Sequence, residues 1–132
     1  MGRKLGVSKI RSDKDFALLV EKRLAATAIQ LLVRGGLSSA EVYQLIVPRR
    51  TLAHRIARHQ PLSREESDRA VRVARISTMA ERPLHDAGKA WPWLRKPKRR
   101  FEGNTPLEML ATEAGARLVE EKILQFEYGM AA

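Results

Sequence analysis

Apolar residues in this chain recur mostly at intervals of three and four, and the alternation of a half-buried strand is hard to find. Phe16, Leu19, Val20, Leu24, Ala28, Leu31 and Leu32 form one such series. Asp13 or Asp15 can cap it and Gly35-Gly36 can close it, so one long first helix is predicted. Ser38-Ser39-Ala40-Glu41 has the spacing of a capping box, in which each end residue's side chain accepts the other's orphan amide. Val42, Leu45 and Ile46 give this short second helix an inward face, and it stops before Pro48. From Arg49 to His59, Leu52, Ala53, Ile56 and Ala57 lie on one side while Arg50, Thr51, His54, Arg55 and Arg58 spread over the other. Ser63 and Glu66 form a second box, opening a fourth helix that runs to the break at Arg82-Pro83. Trp91-Pro92-Trp93-Leu94 and the basic run after it read as an ordered loop anchored by tryptophan. Thr105-Pro106-Leu107-Glu108 restarts a helix with threonine as cap and proline at the first position. Thr112 caps a final amphipathic helix through Ala116, Val119, Ile123 and Phe126, ending at Tyr128-Gly129.

The pattern therefore predicts an all-α fold, with a basic arm over residues 1–12, a helix-turn-helix bundle over 13–82 and a small helical domain over 83–132. The chain has 132 residues, 44% of them apolar, which is enough for one domain or two small ones. Aromatic residues make up only 5%, so aliphatic side chains must fill the core. Trp93, Leu94, Leu107, Leu110, Val119 and Ile123 are the expected core of the C-terminal helices. With no cysteine, disulfides and thiolate zinc sites are excluded. The longest nearly apolar stretch, Leu24 to Val33, is half the length of a membrane span, and a soluble, cytoplasmic protein is expected.

Charge changes the picture more than length does. Residues 1–60 carry +8, residues 61–100 carry +6 and residues 101–132 carry −4, giving +10 in all. A basic body can neutralise phosphates and release counterions, whereas an acidic end would be repelled by the same polyanion. A short helix, a tight turn and a basic amphipathic helix are the plan of a helix-turn-helix, in which the second helix offers its outer face to the major groove. Arg49, Arg50, Arg55 and Arg58 can pair with guanine or with phosphate, and Thr51 and His54 can add lesser contacts. Catalysis finds little support. His54, His59 and His85 lack a metal-binding spacing, and the chain has no glycine-rich phosphate loop and no Gly-x-Ser-x-Gly elbow. No enzyme, no metal and no cofactor are expected.

Several ordered blocks carry a family resemblance: Arg50-Thr51-Leu52-Ala53-His54-Arg55-Ile56, Leu62-Ser63-Arg64-Glu65-Glu66-Ser67-Asp68-Arg69, Trp93-Leu94-Arg95-Lys96-Pro97, Gly103-Asn104-Thr105-Pro106-Leu107-Glu108-Met109-Leu110 and Glu127-Tyr128-Gly129. Over roughly residues 35–130 the chain resembles the Xre/MbcA/ParS family of type II antitoxins. It departs from the family pattern at Lys98 to Gly103 and at Ala111. The resemblance implies an N-terminal portion that binds operator DNA as a homodimer and represses its own operon. It also implies a C-terminal portion that binds and neutralises a RES-domain toxin, an enzyme that destroys NAD. The toxin contacts it carries over are Glu120, Glu121, Ile123, Leu124, Glu127, Tyr128 and Gly129. Two alternatives stand beside it, a DNA-binding regulator without a toxin partner and a small RNA-associated basic protein.

Overall fold

The computed structural model describes residues 13–85 and 87–131, so the arm expected over residues 1–12 lies outside the described residues. These residues form eight α-helices: α1 Asp13–Lys22, α2 Ile29–Arg34, α3 Ser39–Leu45, α4 Arg49–Ala57, α5 Arg64–Leu84, α6 Ala87–Leu94, α7 Pro106–Met109 and α8 Glu113–Ala131. Two 3₁₀ turns, Ala26–Ala28 and Arg99–Phe101, complete the regular structure. Packing divides the chain into two compact units, Met1–Ala74 and Arg75–Ala132, and the division falls inside α5.

In the first unit the predicted long helix is broken in two. Arg23 adopts a left-handed φ of 60° and ends α1. The chain then forms an isolated antiparallel bridge between Ala25 and Pro61. The Leu24 amide donates to the Ser67 hydroxyl at 3.0 Å, the Leu62 amide donates to the Leu24 carbonyl at 2.8 Å, and Arg23 Nε donates to the Leu62 carbonyl at 3.0 Å. Apolar spacing could not reveal this break, because the half-buried Leu19 and Val20 before it and the buried Leu24, Ala28 and Leu32 after it keep the same three-and-four spacing. α2 closes at Gly36, whose φ of 128° lets the Leu37 amide reach back to the Leu32 carbonyl. Leu32, Leu37, Val42, Ile46, Val47, Leu62 and Val73 form the tightest part of this unit's core.

In the second unit α8 packs by the side that carries Ala116, Val119 and Ile123, all buried. Ile76, Ala80, Ala90, Leu94, Leu107 and Leu110 complete that core, as most of the expected apolar residues do, while Trp93 is half-buried. α7 begins with the predicted box, Thr105 Oγ1 accepting from the Glu108 amide at 3.0 Å. The Thr112 hydroxyl accepts from the Gly115 amide at 3.0 Å and starts α8. Gly115 is required there, since a Cβ would lie 2.0 Å from the Met109 carbonyl oxygen. The tryptophan segment is helical rather than a loop. Pro92 removes one donor from α6, but Ala90, Trp91 and Leu94 are buried, and that burial holds the turn in place. Similarly, α5 continues past the expected break through Pro83 and ends at His85, which takes the left-handed conformation. Among the described residues no helix is long and apolar enough to cross a membrane.

Candidate functional surfaces

The α3–α4 pair is built from local chemistry. Ser38 Oγ accepts from the Glu41 amide at 3.1 Å while Glu41 Oε1 accepts from the Ser38 amide at 2.8 Å, so the box seen in the sequence fixes the start of α3. The turn after it is held by the Val47 amide donating to the Val42 carbonyl and by Arg69 Nε of α5 donating to the Ile46 carbonyl at 2.9 Å. α4 ends in a left-handed cap at His59, with the Gln60 amide returning to the Arg55 carbonyl at 2.8 Å.

The six residues expected on the reading face do not share one environment. Arg49, Arg50, His54 and Arg58 are exposed, and none has an ion pair among the described residues. Thr51 is half-buried. Arg55 is turned inward. Its Nε donates to Glu66 Oε1 at 2.7 Å and its Nη2 to Glu66 Oε2 at 3.2 Å, while the same Oε1 accepts from the Ser63 amide at 2.8 Å. Burial alone raises the Glu66 carboxyl, but the hydrogen bonds from Arg55 and Ser63, together with the Arg55 charge, outweigh it and hold the group below its ordinary value. Arg55 therefore anchors α4 to α5. The apolar side of α4 is also narrower than the sequence suggested: only Leu52 is buried, and Ala53, Ile56 and Ala57 are exposed. Arg55 occupies the inward position beside Leu52, which leaves Ile56 on the rim of an open groove of about 390 Å³ with Ile29, Val33, Val42 and Tyr43.

α8 differs again. Glu113, Glu120 and Glu127 recur every seven residues, two turns of helix, and face α5. Arg75 Nη1 lies 3.2 Å from Glu120 and its Nη2 lies 3.7 Å from Glu113, while Arg82 lies 3.8 Å from Glu127. Arg75 and Arg82 repeat at seven as well, so the acidic stripe is matched by a basic one on the neighbouring helix. Ile123 is 2% exposed and belongs to the core, which removes it from any open surface. Glu121, Leu124 and Tyr128 share a strip at three- and four-residue spacing, with Glu121 exposed, Leu124 half-buried and Tyr128 70% exposed; Gly129 follows, also exposed. Leu118 and Phe126 are not among the contacts that the resemblance carries over, although both are large, apolar and about half exposed. Phe126 continues the spacing of Val119 and Ile123, which predicts an inward position, but it is exposed. Among the described residues no group of three histidine or carboxylate side chains could hold a metal ion.

Comparisons with known proteins follow the same division. A family model described as the antitoxin Xre-like helix-turn-helix domain matches residues 15–75. Another, described as the antitoxin Xre/MbcA/ParS C-terminal toxin-binding domain, matches residues 85–129. The chain is 45% identical over 126 residues to antitoxin Xre of Pseudomonas putida, an alignment covering 95% of this chain and 79% of that protein. It is 29% identical over 88 residues to a protein of a Sphingobium species named Prs ADP-ribosylating antitoxin, covering 60% of this chain and 55% of that one.

Proposed function

The chain belongs to the Xre family of antitoxins, with a helix-turn-helix domain and a toxin-binding domain, and from that premise we propose that it neutralises a RES-domain toxin and represses its own operon. It works by binding, in the cytoplasm, and has no catalytic residues. A homodimer reads two operator half-sites, one α4 in each major groove. Arg49, Arg50 and Arg58 contact bases and phosphates, with His54 beside them and Arg55 holding the helix in place. The toxin is met by the outer strip of α8, where Glu121, Leu124 and Tyr128 lie, with Phe126 and Leu118 adding apolar area. The name of the Sphingobium relative supports a toxin acting on the same dinucleotide, since ADP-ribosylation takes its ADP-ribose from NAD.

One observation carries this reading: a single chain presents two unlike open faces, a cationic one at α4 whose Arg49, Arg50 and Arg58 have no ion pair among the described residues, and an apolar one on α8. DNA interfaces are strongly positive, whereas the centre of a protein interface is depleted of charge. Two variants of the full chain test it. Arg49→Ala/Arg50→Ala/Arg58→Ala should lose retardation of the DNA upstream of its own reading frame yet still rescue cells expressing the RES-domain protein encoded beside it. Phe126→Ala/Tyr128→Ala should show the opposite pair of phenotypes. A folded arginine variant that still retards the DNA sinks the first assignment, and a folded aromatic variant that still rescues growth sinks the second.

A further inference from the structure

The second unit, acidic along α8, also contains the densest run of positive charge in the chain. Arg95, Lys96, Lys98, Arg99 and Arg100 fall within six residues, and Glu102 is the only carboxylate in the loop that follows. This run is not a loose tail. The Lys98 amide donates to the Asn104 carbonyl at 3.0 Å, and the Gly103 amide donates back to the Lys98 carbonyl at 3.0 Å. The Phe101 amide also donates to the Lys98 carbonyl, the Glu102 amide to the Arg99 carbonyl and the Asn104 amide to the Phe101 carbonyl, which closes residues 98–104 into a small ring. Left-handed φ values at Glu102 and Gly103 make that closure possible. Phe101 is buried and anchors the ring from within. At its entry the Arg95 guanidinium lies 5.0 Å from the centre of the Trp91 ring, and the Lys98 ammonium lies 4.9 Å from that of Trp93.

Lys96, Lys98, Arg99, Arg100 and the nearby Lys122 of α8 have no ion pair among the described residues; Arg100 has only a hydrogen bond to Gln125 at 3.2 Å. Lys96, Arg99 and Arg100 are exposed. Lys98 is held below its ordinary pKa by partial burial first and then by the repulsion of Lys96 and Lys122. Such a cluster gains most from a partner that brings closely spaced negative charge, and a prearranged loop loses little freedom on meeting it.

We propose that the ring closed over residues 98–104, with Lys96, Arg99 and Arg100 at its surface, is a second DNA contact that binds the phosphate backbone without reading sequence. This rests on the reading of the chain as a DNA-binding antitoxin and adds to it a site outside the helix-turn-helix. The centre of a protein interface is poor in lysine, whereas DNA-facing surfaces are rich in positive charge, so the ring fits DNA better than it fits the toxin.

The test compares the full chain with Lys96→Ala/Arg99→Ala/Arg100→Ala and with the charge-keeping Lys96→Arg/Arg99→Lys/Arg100→Lys. Each is titrated against two duplexes, the fragment upstream of its own reading frame and a scrambled fragment of equal length, across a range of salt. The alanine variant should lower the slope of log affinity against log salt by about 2 to 3, since each phosphate contact contributes about 0.9. Affinity should fall by about the same factor for both duplexes, leaving their ratio unchanged, and the charge-keeping variant should behave as the parent does. An unchanged slope in a folded alanine variant overturns the proposal while leaving α4 as the reading helix. Loss of toxin co-purification with unchanged DNA binding overturns it in favour of the partner protein. If the parent chain binds neither duplex at low salt, the DNA-binding reading falls as well.

Discussion

Helices α4 and α8 follow one plan with reversed signs. Each has an apolar side and a charged side, and each is tied to α5 by an ion pair. For α4 the helix supplies the cation, Arg55, and α5 supplies Glu66; for α8 the helix supplies Glu113, Glu120 and Glu127, and α5 supplies Arg75 and Arg82. The outcome differs in what remains. Of the four arginines of α4 and its C-terminal cap, one is committed to packing and Arg49, Arg50 and Arg58 stay open, whereas α8 commits three of its four glutamates, leaving Glu121. A charge count therefore describes the binding face of α4 fairly and that of α8 poorly. On α8 the open surface is defined by Leu118, Phe126 and Tyr128 instead.

The comparison can be broken most forcefully in the apolar seam. Ile123→Ala should cost about 2–5 kcal/mol in chemical unfolding, because the side chain is fully enclosed. Tyr128→Ala, five residues on and exposed, should cost about 0.5 kcal/mol or less while weakening toxin capture. Equal losses at the two sites would mean that α8 does not present the face described.

Next in size comes the anchor of α4. Glu66→Gln leaves the inward Arg55 without its counter-charge and should cost about 1–3 kcal/mol near neutral pH. The native carboxyl titrates below its unfolded value, so its stabilisation is complete above the unfolded pKa and is lost as pH falls through the lower, folded one. Unfolding curves of the parent and of Glu66→Gln should thus converge on acidification below about pH 4. A gap that stays constant with pH would remove the charge from the account of this anchor.

The smallest effect belongs to the ladder on α8. Glu120→Gln should cost less than about 1 kcal/mol, and the loss should shrink at high salt, because both partners retain contact with water. A loss matching that of Glu66→Gln would show the two ties to α5 to be equivalent after all.

Much of this arrangement was legible in the sequence, for identifiable reasons. The boxes at Ser38, Ser63 and Thr105 are contacts between residues three apart, so spacing reveals them. The order of the helices and the basic face of α4 follow from periodicity. What periodicity could not supply was every partner distant in sequence: Ser67 for Leu24, Glu66 for Arg55, and Arg75 and Arg82 for the glutamates of α8. Those partners decided which expected contact residues stay open. Pro92 misled for a different reason, since burial of Trp91 and Leu94 overrode the signal of a helix breaker.

The crossing of Leu24 with Leu62 has a consequence in time as well as in space. Amides outside helices normally exchange with solvent quickly, through small local openings. Here the Leu24 amide is closed by a hydroxyl that is fully buried, and the Leu62 amide is closed by the carbonyl of Leu24. Neither can open unless α1 and the start of α5 separate. In deuterium exchange these two irregular positions should therefore persist as long as the mid-helix amides of α5, far longer than the neighbouring amide of Ala25. Ser67→Ala should shorten the lifetime of the Leu24 amide first, making a single hydroxyl the timer for the opening of that junction.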